Sequence, residues 1–307
     1  MSGYSNERVS LREVGLRDGL QLVKRFPSTE AKRDWLAREY DAGVRFFEVG
    51  SFLPATRMPQ FADVRELIET VAEMDGARSS ALTLNERGIE NALDTKVDEI
   101  VCVVSATEEH SQANMRRSRQ AAVDLVARAA EKAAGRVTVN AGIAMAFGCS
   151  IAGHVDPEEV LRLAEACLNA GADIVGVADT VGFAGPRQVG DLCQGLKTIC
   201  GDRPFIVHLH DTRGMGQANA SAALDNGCRV LDGALGGLGG CPFAPGATGN
   251  IVFEDLVYLC ETMGFETGIN ITALTAIRDV LEREMPDEQL YGALARSGIP
   301  PNVNWAA

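Results

Sequence analysis

The sequence predicts an α/β barrel of eight parallel strands, and three observations predict it. Apolar, β-rich runs recur eight times: "REVGLRD", "FFEVGSF", "SSALTLN", "EIVCVVSAT", "VTVNAGIAMAFG", "IVGVADT", "FIVHLHD" and "RVLDGALGGLG". Segments with helical spacing separate them, and such regular succession suits a closed (βα)8 TIM barrel better than an open doubly wound sheet. No G-x-G-x-x-G follows the first run and no G-x-x-x-x-G-K-[ST] occurs, so the phosphate-cradling signatures of the nucleotide-binding alternatives are missing.

The helices can be placed by their ends. One carries Trp35, Leu36 and Tyr40 and stops at Gly43. The clearest starts at Asp156 as N-cap, with Pro157 at the first helical position and Glu159 at the capping-box position. Val160, Leu163, Ala164, Cys167 and Leu168 form its apolar face, and Gly171 ends it. From about residue 270 "ITALTAIRDVLEREM" reads as added helix before a proline-containing tail. The expectation is one domain over 1–307, with the barrel at about 8–265 and C-terminal helices at about 270–307.

Composition narrows the function classes. The chain has 307 residues, 46% hydrophobic and 23% charged, enough to bury a large core. A formal charge of −13 argues against nucleic acid or an anionic membrane as the main partner, since both reward a basic surface. No 18-residue apolar run appears and "MSGYSNERVS" lacks a secretory h-region, so a cytoplasmic location is expected. Homo-oligomerisation is left open. The eight cysteines show no CxxC spacing and read as buried free thiols. Cys241 is the exception, because it lies in "GGLGGCPFAPGATG", a stretch with six glycines that reads either as tight turns or as a lid.

In a barrel of this kind the site forms at the C-terminal ends of the strands, so polar residues there matter most. The first run ends in Arg17 and Asp18, the second carries Glu48, the sixth ends in Asp179, and Asn250 follows the eighth. The seventh, "HLHDTRG", places two of the chain's four histidines, His208 and His210, one residue apart. On an extended strand both face one way. With Asp18 and the amide oxygen of Asn250 they would make a thiolate-free N/O site suited to an open octahedral cation, Mg²⁺ or Mn²⁺ or a similar ion. The alternative for the histidines is a hydrogen-bonded pair, and for Arg17 and Asp18 a simple ion pair. Asp211 is expected to orient a histidine or cap the next helix. Cys241 is either a small packing residue or a thiol that moves protons.

Three longer motifs, "EVGLRDGLQ", "VHLHDTRGMGQAN" and "GGLGGCPFAPGATGNIVFEDLVYL", resemble the signature regions of 3-hydroxy-3-methylglutaryl-CoA lyases within the DRE-TIM metallolyases. The resemblance spans nearly the whole chain. It implies a (βα)8 barrel that binds a divalent metal, Mg²⁺ or Mn²⁺ with Zn²⁺ or Co²⁺ as alternatives, and cleaves a carbon–carbon bond of an acyl-CoA. It further implies Asp18, His208, His210 and Asn250 as metal ligands, Arg17 as the group that stabilises an enolate, and Cys241 as a proton carrier. Glu48 and Asp179 match the family's acidic residues on strands two and six. No short motif marks the CoA site; Lys24 and Arg57 are candidates for its phosphates because they are basic and lie in strand-end loops.

The chain also departs from the family's pattern. "LVKRF" follows "RDGLQ" where an Asn-Glu pair usually precedes the lysine, "SFLPATRMPQFAD" replaces a segment close to "SFVSPKWVPQMAD", and "SATEEHSQANMRRS" is unusually charged. These stretches flank the substrate end of the barrel, so they bear on the acyl group rather than on bond breaking. Two other readings remain: a Claisen-type synthase resembling homocitrate or isopropylmalate synthase, whose usual extra C-terminal region has little room here, and a non-catalytic barrel.

Overall fold

The computed structural model describes residues 3–5, 7–239 and 249–301. Eight strands, β1 (Ser10–Glu13), β2 (Phe46–Ser51), β3 (Arg78–Thr83), β4 (Glu99–Ser105), β5 (Thr138–Ala144), β6 (Ile174–Asp179), β7 (Phe205–Leu209) and β8 (Val230–Gly233), close into a barrel in sequence order. Every neighbour is parallel, and β8 pairs β1 through Ser10–Val230 to Glu13–Gly233. Helices α1 (Thr29–Asp41), α2 (Val64–Ala72), α3 (Glu86–Leu93), α4 (Glu108–Met115), α5 (Arg119–Ala133), α6 (Pro157–Asn169), α7 (Pro186–Cys200), α8 (Gly216–Asp225) and α9 (Phe253–Thr262) follow the strands. The fold class is the one the alternation predicts.

The helix ends show why. Asp156 caps α6 by accepting from Glu158 N–H at 3.0 Å, and Gly171 takes the left-handed φ of +99° that ends it. Val160, Leu163, Ala164 and Cys167 are buried on one face, while Leu168 is half-buried. Glu159 does not close the expected capping box. Its carboxylate pairs with Arg119 at 2.7 Å and with Arg162 instead, because two guanidiniums outcompete a single backbone N–H. The C-terminal helix divides at Ile277 into α10 (Ile271–Ala276) and α11 (Arg278–Glu284), and α12 (Ala293–Ser297) comes after them.

No helix among the described residues is long and apolar enough to cross a membrane. The seven described cysteines are all buried and free. Burial pushes the thiols of Cys102 and Cys200 up to about 11, which leaves them inert near neutrality. Cys241 lies outside the described residues.

Candidate active site

The first corner of the site is not a strand end. β1 stops at Glu13, and the N–H groups of Asp18 and Gly19 both donate to Val14 O, at 2.8 and 3.2 Å, so Gly15–Gly19 forms one wide helical turn. Gly15 permits it, since a Cβ there would lie 2.8 Å from the Trp35 ring. The turn has a chemical consequence. Consecutive residues on a strand face opposite ways, whereas here Arg17 and Asp18 line the same cavity.

The second corner comes from β7. His208 sits on the strand and His210 lies one residue beyond its end, in a bridge with Asn250. The two Nε2 atoms are 3.1 Å apart, and they stand 3.8 Å (His208) and 3.3 Å (His210) from Asp18 Oδ2. Asp18, His208 and His210 thus form a cluster with one ligand atom each, all within 4.8 Å of one another. Asn250 Nδ2 donates to Asp18 Oδ2 and to Leu238 O, each at 2.9 Å. Its Oδ1 is buried with no hydrogen-bond partner among the described residues.

These groups fit a divalent cation. Asp232 Oδ2 lies 3.1 Å from His208 Nδ1, a contact that favours the proton on Nδ1 and turns the Nε2 lone pair toward Asp18. Two imidazole nitrogens, a carboxylate and an orphaned amide oxygen then converge, a hard and borderline donor set without thiolate. Burial raises the Asp18 pKa, but the Arg17 guanidinium and both imidazoles outweigh it and hold the carboxyl far below its ordinary range. Burial likewise opposes protonation of His208, and Asp232 and Asp18 reverse it, so its pKa is raised.

Arg17 ties the cluster to Glu48. Its Nη1 donates to Asp18 Oδ1 at 2.7 Å and to Gln21 Oε1 at 3.2 Å, and its Nε stands 2.9 Å from Glu48 Oε2. Glu48 is itself raised, because burial exceeds the pull of Arg17 and Arg12. The guanidinium is therefore held rigidly at the cavity edge with its charge intact.

The remaining expected residues fall at different distances from this centre. Asp179 is buried, does not line the cavity, and accepts from Phe183 N–H and Ala184 N–H at 2.8 and 3.1 Å, which fixes the turn after β6. Asp211 caps the chain entering α8 through Gly216 N–H at 2.7 Å. Arg57 is exposed at the cavity mouth, and Lys24 is exposed and outside the lining.

Two contributors were not legible in advance. Asp232 and Arg12 lie within β8 and β1 as direct register partners, and both face the cavity. The signal was present in "VLDG", where a carboxylate interrupts an apolar strand. His110 is a third lining group, buried with Nδ1 2.9 Å from Ser105 Oγ, and its pKa is lowered by burial.

Comparison with known proteins gives a consistent picture. A family model described as HMGL-like matches residues 8–281. The chain is 34% identical over 282 residues to a hydroxymethylglutaryl-CoA lyase of Bacillus subtilis, covering 91% of this chain and 94% of that protein. It is 36% identical over 286 residues to an (R)-citramalyl-CoA lyase of Chloroflexus aurantiacus, covering 90% of each. A solved HMG-CoA lyase of Acinetobacter baumannii, in complex with coenzyme A and 3-methylmalate, superimposes with a TM-score of 0.90 at 32% identity over 99% of both chains.

Proposed function

The chain belongs to the HMGL-like family, and from that membership we propose that it is a divalent-metal-dependent lyase acting on a 3-hydroxy-3-substituted acyl-CoA. The substrate is 3-hydroxy-3-methylglutaryl-CoA or a close analogue, and the products are acetyl-CoA and a keto acid such as acetoacetate. The observation that carries this reading is the convergence of Asp18, His208 and His210 beside a buried, doubly paired Arg17.

Asp18, His208, His210 and Asn250 would hold the cation, Mg²⁺ or Mn²⁺ with Zn²⁺ or Co²⁺ as alternatives. When bound, it polarises the substrate's hydroxyl and carboxylate oxygens as a Lewis acid. A base in the cavity takes the proton of the C3 hydroxyl, the C2–C3 electron pair moves into the thioester as an enolate, and C3 becomes a ketone. Arg17 meets the charge that develops on the thioester oxygen, and Glu48 keeps the guanidinium aimed. Cys241 returns a proton to C2, which completes acetyl-CoA. Asp179 acts through the turn that it holds, and Arg57 and Lys24 meet the CoA phosphates.

The test is to strip the enzyme with chelator, restore each cation in turn, and follow acetyl-CoA release from hydroxymethylglutaryl-CoA and citramalyl-CoA. Metal-restored release supports the proposal. Full turnover without metal, or CoA release from acetyl-CoA plus a 2-oxo acid in place of cleavage, overturns it.

A further inference from the structure

The interior of an eight-stranded barrel is ordinarily filled by layers of bulky side chains. This barrel is filled on one side only. β5 and β6 present Gly142, Ala144, Gly176 and Ala178 to the active-site cavity, whose volume of about 380 Å³ also takes in the metal cluster and the mouth at Arg57. Ala178 pairs in register with His208, so the hollow starts directly beside the metal cluster. Along β5 it descends from Ala144 past Gly142 to Asn140, about 13 Å down the strand at roughly 3.3 Å per residue.

Neither inner glycine is required by the backbone. Both lack the positive φ that favours glycine. A Cβ at Gly142 would first meet Val101 Cγ1 at 3.6 Å, and one at Gly176 would meet Ile206 Cβ at 3.4 Å, both ordinary contacts. Sterics would accept a side chain at either position. What the glycines supply is volume, and a strand glycine with this property marks the close approach of a ligand.

The chemistry of the chamber limits what can enter. Val101, Val103, Leu82 and Ile206 give it apolar walls. At its floor one cation, Arg12, stands 3.3 Å from Glu99 and 3.4 Å from Asp232, so a further carboxylate would meet an excess of negative charge. Asn140 Nδ2 donates to Glu99 Oε1 at 2.8 Å, leaving a neutral amide oxygen near the Gly176 gap.

We propose that this chamber binds the C3 substituent of the acyl-CoA, and that the substituent is an uncharged aliphatic chain longer than methyl, of about butyl size. The inference rests on the lyase reading above. A methyl group would leave the deep half of the chamber without a partner, whereas each added methylene that reaches apolar wall is worth about a tenfold or greater gain in kcat/KM.

The experiment compares 3-hydroxy-3-methylglutaryl-CoA with its 3-ethyl and 3-butyl homologues on the metal-loaded enzyme, reading acetyl-CoA release. With three added methylenes, the butyl homologue is expected to exceed the methyl compound about 10³-fold in kcat/KM. In Gly142→Val and Gly176→Val the butyl-to-methyl ratio should fall by about 100-fold, and in Gly142→Ala by a smaller, graded amount. A ratio taken within each variant cancels any loss of folded enzyme. Binding of the 3-deoxy analogues, which lack the hydroxyl and cannot be cleaved, should follow the same order by calorimetry. Cleavage of the methyl compound with the butyl homologue no better, or a ratio unmoved by the valine variants, overturns the chamber and leaves the lyase reading standing. Release from none of the three overturns both.

Discussion

The two walls of the barrel interior are built on opposite principles. Where β1, β7 and β8 meet, every inward polar group is tied to another: Arg17 to Asp18 and Glu48, His208 to Asp232, Asp232 to Arg12. Beside it, β5 and β6 line the cavity with glycine and alanine, above the single amide of Asn140 that donates to Glu99. Groups that handle charge must be pre-aligned, because a misdirected dipole has to reorganise during the reaction. A wall that receives carbon needs only shape. The first wall therefore spends residues on cross-links, and the second leaves space.

Breaking the charged wall should produce the largest effects. Asp18→Ala or His208→Ala is expected to abolish acetyl-CoA release while circular dichroism and the melting profile keep the fold. Metal affinity, read by calorimetry, should fall with activity. Normal turnover in either variant would remove the cluster from the chemistry. Next comes Arg17→Met, for which kcat should drop about 10²–10³-fold with little change in KM, the pattern of a group that matters once enolate charge develops. Equal and small effects on both constants would make Arg17 only a partner for Asp18.

A smaller loss is expected one contact further out. Asp232→Asn keeps shape but weakens the hold on the His208 tautomer, and second contacts of this type are worth about 10–100-fold in metal affinity or activity. The measurement is metal titration beside steady-state rate, and a rise in metal requirement without loss of fold is the expected outcome. The smallest effect lies outside both walls, in the buried carboxyls beneath the Gly15 turn. Burial first, and then the charges of Glu254 and Glu48, raise Glu13 to about 8, and burial with the charge of Glu13 raises Glu39 well above its ordinary value. Because the unfolded chain releases these protons earlier, the native state holds more protons between the ordinary carboxyl range and about pH 8, and stability falls as pH rises through that window. Glu39→Gln should flatten the decline by up to about 1.4 kcal/mol per pH unit. Chemical denaturation at a series of pH values checks it, and an unchanged slope would mean Glu39 titrates normally.

The contrast between the walls also explains what could be read beforehand. Strand number, order and parallel closure follow from alternation, which is a local signal, so the barrel was legible in its apolar runs. Asp18, His208, His210 and Asn250 were legible because their motifs are short and polar. "REVGLRD" reads as one apolar run with Arg17 and Asp18 at a strand end, whereas the bonds of Asp18 N–H and Gly19 N–H to Val14 O make it a helical turn, packed where a Cβ on Gly15 would meet Trp35. Asp232 and Arg12 were hidden inside strands, where a charge is tolerated only when a partner from a distant segment arrives. The hollow at β5 and β6 is a property of what is missing, and no single-position signal marks it.

The segment that carries Cys241 is framed by residues that already touch. Asn250 N–H donates to Leu238 O at 3.3 Å, and a Cβ on Gly249 would fall 2.1 Å from the carbonyls of Gly237 and Gly239. Leu238–Gly239 and Gly249–Asn250 thus lie fastened side by side next to Asp18. Lengthening a stretch with fastened ends adds only about 0.6 kcal/mol per doubling. Insertions between ends fastened in this way therefore cost little, and Asn250 keeps its hold on Asp18 and Leu238 whatever length of chain precedes it.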